Sequence, residues 1–175
     1  MTSQQAVSYW LMPCPQAHDD FEALSKQACR GLQGCTLPPH ITLYSDHLEN
    51  AASAVDRLSQ VAEGCKPVQL SPTAIEAGSL FTKSLILHFA ASDELIHWFS
   101  GLRARSPDRL DYQLRPHLSL LYSSEALSAK QAMAAQLPLP APALFNRLVV
   151  VVHPLTISTD ADIAAVNSIH EHKLE

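Results

Sequence analysis

The chain has 175 residues, 47% hydrophobic and 17% charged, the composition of a folded globular protein rather than a disordered one. A formal charge of −5 and a pI near 5.9 argue against a surface built to grip long duplex nucleic acid. No apolar run approaches the roughly 18 residues that span a bilayer, and the opening stretch MTSQQAVSYWLMPCPQ lacks a basic start and is broken by Ser8 and Pro13, so no membrane partner and no signal peptide are expected and the cytoplasm is the expected location.

Residues 7–12 alternate and are rich in aromatics, which predicts a strand. A helix is predicted over 17–32. Phe21, Leu24 and Ala28 sit at helical spacing there, Asp19, Asp20 and Glu22 suit the positive end of the helix dipole, and glycines punctuate its end. A strand at 40–44 comes next, then a helix over 47–63 with Ala51, Val55, Leu58 and Ala62 on one face and Gly64 at its stop. Strands are predicted at 68–76 and 80–90, joined by a turn at Ala77, Gly78 and Ser79. A third helix over 92–103 carries Leu95, Trp98 or Phe99, and Leu102 on its inner stripe, and a strand follows at 118–122. Ser128 and Gln131 have the spacing of a capping box for a short helix ending before Pro138. Residues 144–152 read as a long strand and 155–159 as a last short one. Strands and helices mixed with short connections make the fold class α+β. No linker is long enough to part independent domains, so a single bilobal domain over residues 1–175 is expected.

Two of these strands carry almost the same letters. Pro39-His40-Ile41-Thr42-Leu43 reads P-H-I-T-L, and Pro116-His117-Leu118-Ser119-Leu120 reads P-H-L-S-L. The histidines are 77 residues apart, close to half the chain, which suggests a duplicated architecture with a pseudo-twofold axis through a cleft. Residues i and i+2 of a strand share a face, so each segment presents an imidazole and a hydroxyl side by side. The plainer reading is two half-buried strands that each happen to carry one of the nine histidines. Average composition makes two such matches an accident on the order of 1–3%. The chemical reading is two imidazoles and two hydroxyls around one small volume, suited to acid–base work on a phosphate. Pro39 and Pro116 hold the chain extended before each histidine and mark strand entry at the cleft edge.

The motif pair resembles the signature of the 2H phosphoesterase superfamily, with its two H-x-[S/T]-x tetrapeptides, here H-I-T-L and H-L-S-L. The strand Ser8-Tyr9-Trp10-Leu11-Met12-Pro13 and the tyrosine after the second motif, Tyr122, resemble the cyclic phosphodiesterase branch of that superfamily. The resemblance covers nearly the whole length. It implies two pseudo-symmetric lobes, each a small antiparallel sheet with helices outside, and catalytic strands lining the groove between the sheets. It also implies a role for Tyr122 at the phosphate or the sugar.

Opening a nucleoside 2′,3′-cyclic phosphate, or the analogous cyclic phosphate on ADP-ribose, needs a water deprotonated on one side of phosphorus and a proton given to the departing ribose oxygen on the other. Histidine can do either near neutral pH. His40 and His117 are therefore the expected catalytic pair, and the Thr42 and Ser119 hydroxyls the expected donors to the phosphate oxygens. Arg115, two residues before His117, is the best candidate for a cation beside the site among Arg103, Arg105, Arg109 and Arg115, which otherwise read as a charged surface loop. Trp10 is read as core or as an aromatic that stacks a base, and Tyr44 as a weaker accessory than Tyr122. No cofactor and no metal are expected, since the four cysteines show no zinc spacing and no other ligand cluster stands out. Cys35, five residues before His40, is a weak candidate nucleophile, while His88 reads as structural and His18, His47, His97, His153, His170 and His172 as surface or packing residues. The expected partner is a small nucleotide, with RNA ends as a second possibility, and a monomer is expected. The alternatives are RNA-end processing, as 2′-5′ ligation or trimming of terminal linkages, and a catalytically idle module that binds nucleotides or RNA termini.

Overall fold

The computed structural model describes residues 4–107 and 111–175; Arg109 lies outside them. Eight strands and five helices alternate among the described residues as β1 (Gln5–Pro13), α1 (Pro15–Cys29), β2 (Ile41–His47), α2 (Ala51–Ala62), β3 (Val68–Leu70), β4 (Pro72–Ala77), β5 (Leu85–Phe89), α3 (Asp93–Ala104), β6 (His117–Leu121), α4 (Leu127–Ala134), β7 (Ala143–Pro154), α5 (Asp160–Ala164) and β8 (Asn167–Lys173). The fold is α+β with two antiparallel sheets. One runs β2-β1-β7, with β3 and β8 sharing the far edge of β7; the other runs β4-β5-β6.

The repeated unit is a strand, a helix and an antiparallel neighbouring strand. β1-α1-β2 brings in the first motif and β5-α3-β6 the second. Both motif strands end up at sheet edges, and β2 lies against β6. The lobes are not the two halves of the chain, because β7 returns to pair with β1 along nearly its whole length and takes β8 with it.

The three long helices are each held by an apolar stripe. Ala17, Phe21, Leu24 and Ala28 of α1, Ala54, Leu58 and Val61 of α2, and Leu95, Trp98 and Leu102 of α3 are buried in one cluster reaching both sheets. Truncating a fully buried leucine such as Leu58 to alanine costs about 2–5 kcal/mol in such a core. Phe21, Phe89 and Phe145 meet at the centre, with Phe89 edge-on to both others.

Several elements differ from the sequence expectation. The second helix starts at Ala51, not 47, because Asn50 accepts the Ser53 N–H at 2.8 Å and caps it. The strand expected over 68–76 is two strands in different sheets. Pro72 lacks an N–H, the Ser71 carbonyl turns to accept Ala90 N–H at 3.2 Å, and the chain crosses there from the large sheet to the small one. The strand expected from residue 80 begins at Leu85, after a 3-10 turn over Phe81–Lys83 and a buried Ser84 whose Oγ accepts Ser123 N–H at 3.0 Å. Ser128 caps nothing, since α4 begins one residue earlier with Ala126 at its cap. The capping box is instead Thr159 with Asp162, which opens α5, and the residues 155–159 before it form no strand although one was expected there. β8 was not expected at all: N-S-I-H-E-H-K is a largely exposed edge strand with one apolar residue, and it has no pattern to read.

Candidate active site

A cavity of about 450 Å³ opens between the sheets. Its lining includes His40, Thr42, His117, Ser119, Tyr122, Arg115 and Trp10, so the structure brings all seven expected site residues to one cavity. Tyr44 is not in the lining. It is fully buried and packs edge-on against Phe99 and Tyr112. Cys35 is not there either; burial and Asp160, 3.3 Å from its sulfur, push its thiol up to about 11, which keeps it from being a thiolate nucleophile. Cys35 serves the fold. Its backbone exchanges two hydrogen bonds with Tyr122, at 3.0 and 2.9 Å, and ties the approach to the first motif to the end of the second. Gly34 permits this, because a side chain there would run into the Tyr122 carbonyl.

The two histidines are held in the same way. His40 Nδ1 lies 2.7 Å from the Pro38 carbonyl and His117 Nδ1 2.6 Å from the Arg115 carbonyl, each the carbonyl of the residue two before. A carbonyl only accepts, so Nδ1 carries a hydrogen in both rings, and Nε2 of the neutral form holds the lone pair. A proline, Pro39 or Pro116, lies between carbonyl and ring in each case; the chain bends at Pro39 and does not run extended there, contrary to expectation.

Their surroundings differ. His40 is 7% exposed and stacks flat on Trp10, with ring centroids 3.5 Å apart and planes 9° from parallel. Burial first, then the neighbouring His117 and His153, pull its pKa down to about 4 against the Pro38 carbonyl. His117 is partly exposed; burial lowers its pKa too, followed by Lys83 and His88. Trp10, itself 7% exposed, has one face on His40 and belongs to an apolar patch with Met12, Val149 and Val151. It buttresses the imidazole.

Ser119 Oγ donates to the Thr82 carbonyl at 3.1 Å. Burial pushes the Tyr122 phenol up to about 12, with the Ser119 hydroxyl beside it pulling the other way, so Tyr122 is a donor and not a phenolate. The Thr42 carbonyl accepts the Tyr112 hydroxyl at 3.0 Å. Among the described residues the Thr42 hydroxyl makes no hydrogen bond of its own.

Lys83, Ser8, Ser45 and His153 are among the lining residues that escaped the sequence reading. Lys83, on the 3-10 turn, adds a cation beside His117. Ser8, Ser45 and His153 come together from β1, β2 and β7: Ser8 Oγ is 2.7 Å from Ser45 Oγ and 2.7 Å from His153 Nε2. His153 is thus a cavity residue and not surface or packing, and burial lowers its pKa. Ser8 has a usable signal, as a small polar residue two before Trp10 on the same strand face. His153 has none, because its partners are 145 and more than 100 residues away. His88 is bound to Glu76 at 2.8 Å across β4 and β5. No group of three His, Cys, Asp or Glu side chains is arranged to hold a metal among the described residues.

No family model matches the chain, and no curated protein matches it significantly in sequence. Its fold is shared along the whole length with solved structures. A phosphoesterase covers 97% of this chain and 98% of its own at TM-score 0.61 and 12% identity. Escherichia coli LigT, solved with phosphate, covers 99% of both chains at TM-score 0.56 and 15% identity, and with 3′-AMP does so at 0.58 and 14%. Kluyveromyces marxianus Usb1 covers 94% of this chain and 96% of its own at 0.55 and 11%. These likenesses show the architecture: a two-lobed phosphoesterase-type fold with its cleft between antiparallel sheets.

Proposed function

We propose that the chain is a phosphodiesterase of the 2H type that opens small nucleoside 2′,3′-cyclic phosphates, or the cyclic phosphate of ADP-ribose, to a phosphomonoester, with His40 and His117 as catalytic acid and base and no metal. One observation carries this reading: two imidazoles, each fixed through Nδ1 and each followed two residues on by a hydroxyl, line a single cavity from two sheets.

In the reaction one neutral imidazole takes a proton from water as the water oxygen bonds phosphorus. The other, protonated, gives a proton to the ribose oxygen as its bond to phosphorus breaks. Fixing Nδ1 removes the wrong tautomer from both rings. Burial lowers both pKa values, and a phosphate between the rings favours the imidazolium that the acid requires. Lys83 and Arg115 supply charge to hold that phosphate, and Thr42, Ser119 and Tyr122 supply donors to oxygens on which charge accumulates. The bound phosphate and 3′-AMP of LigT lend support from a protein of the same fold. A short RNA ending in a 2′,3′-cyclic phosphate offers the same reacting group, and both kinds of substrate belong in the assay.

The test is turnover of 2′,3′-cyclic AMP and of such an RNA by protein stripped with a strong chelator. The expected result is hydrolysis that the chelator leaves unchanged, with a bell-shaped dependence on pH. Hydrolysis lost on stripping and restored by a divalent ion would refute the metal-free mechanism.

A further inference from the structure

We propose that Ser45, Ser8 and His153 form a second subsite in the cavity, an acceptor for an uncharged N–H or O–H donor on the nucleoside part of the substrate. This rests on the nucleotide reading above and adds a specificity determinant to it.

The direction of the hydrogen-bond chain follows from its far end. His153 Nδ1 lies 2.8 Å from the Pro154 carbonyl, which can only accept, so Nδ1 carries the hydrogen. Burial keeps this imidazole neutral at neutral pH. Its Nε2 is then a lone pair, and the Ser8 hydroxyl must donate to it across 2.7 Å. Ser8 Oγ, its own hydrogen spent, accepts from Ser45 across the second 2.7 Å contact. All three hydrogens are used inside the chain, and what the two hydroxyls turn to the cavity is lone pairs.

That is the opposite of what the residues around His117 offer. His117, Lys83 and Arg115 bring donors and positive charge to the cavity, whereas the Ser45, Ser8 and His153 chain brings acceptors. An anion is repelled by lone pairs; a neutral donor is bound by them. Leu37 and Ile157 also line the cavity, giving apolar surface for a nucleoside whose phosphate sits between His40 and His117. In adenosine whose 2′ and 3′ oxygens are held in the cyclic phosphate, two groups have the required chemistry: the 6-amino group of the base and the 5′-hydroxyl of the sugar.

The experiment measures equilibrium binding of three product nucleotides by calorimetry: adenosine 2′-phosphate, its purine riboside counterpart lacking the 6-amino group, and its 5′-deoxy counterpart. Turnover of the matching 2′,3′-cyclic phosphates is measured in parallel. The wild type is expected to bind adenosine 2′-phosphate at least about fivefold tighter than one of the two analogues. Loss against purine riboside assigns the amine, and loss against the 5′-deoxy compound assigns the hydroxyl. Ser45→Ala and Ser8→Ala should abolish the preference and Ser45→Thr should keep it, a pattern that simple loss of packing would not give. Equal binding of all three by the wild type, or a preference unchanged in Ser45→Ala, overturns the subsite. Preference in binding without turnover of any cyclic phosphate would overturn the catalytic reading and leave the subsite standing.

Discussion

The two motif regions share a backbone device and differ in everything around it. His40 sits at the edge of the larger sheet, 7% exposed and pressed against Trp10. His117 sits at the edge of the smaller sheet, partly exposed, beside the cations Lys83 and Arg115. The hydroxyls differ in the same sense: that of Ser119 already donates to the Thr82 carbonyl, and that of Thr42 is uncommitted among the described residues. A motif repeated in sequence need not be repeated in environment, because the strands behind it are not copies. Behind the first motif β1 is backed by β7, which carries β3 and β8 at its far edge, whereas behind the second β5 is backed by the short β4 with no further strand.

The largest expected effect would break the comparison at catalysis. His40→Ala and His117→Ala should each lower turnover of a cyclic nucleotide by about 10²–10⁴-fold, the range of a general acid or base. The difference should show in stability. His40→Ala opens a void against Trp10 and should lower the melting temperature clearly, while His117→Ala should leave it close to the wild type. A single mutant with near wild-type turnover would count against the two-histidine mechanism. Equal melting shifts would remove the distinction between buttressed and open histidine.

The hydroxyls should follow at a smaller scale. Thr42→Ala is expected to cost about 10–100-fold in kcat, within the range of a lost transition-state donor. Ser119→Ala should cost less, because that hydrogen must first leave the Thr82 carbonyl. Steady-state kinetics of the two variants side by side decides the order, and a greater loss for Ser119→Ala would reverse the assignment.

The smallest effect is in titration. NMR of the ligand-free protein should find His40 titrating near 4, lower than His117, and both should rise when phosphate is added. The linked stability has a definite sign. A histidine whose folded pKa is depressed binds its proton more weakly than in the unfolded chain, so its contribution is full above the unfolded value near 6.5 and is lost as pH falls towards 4. His117 and His153 act in the same direction. Melting temperature should therefore drop between pH 6.5 and 4, and less steeply in His40→Gln. An identical slope in that variant would mean that His40 is not the deeply depressed group.

Helix stripes were legible because they depend on local spacing: Leu95, Trp98 and Leu102 face the core as their periodicity requires. Cavity residues of the two motifs were legible for the same reason, since i and i+2 alternation fixes a face without knowledge of the fold. The misread places are those where a distant partner decides. Residues 68–76 look like one strand until the neighbours on each side, β7 and β5, are known to belong to different sheets. β8 is a strand only because β7 offers it an unpaired edge.

By itself the sequence determined the α+β class, most of the elements, and the pairing of each histidine with a hydroxyl, because these follow from periodicities of two and 3.6 residues. Tertiary structure alone decided that β7 crosses back to make the lobes unequal, that Trp10 seals His40, and that Lys83 faces His117. It also gathered Ser8, Ser45 and His153 into the same cavity. Those are contacts between residues far apart in the chain, and their geometry is set by sheet register, which no local pattern encodes.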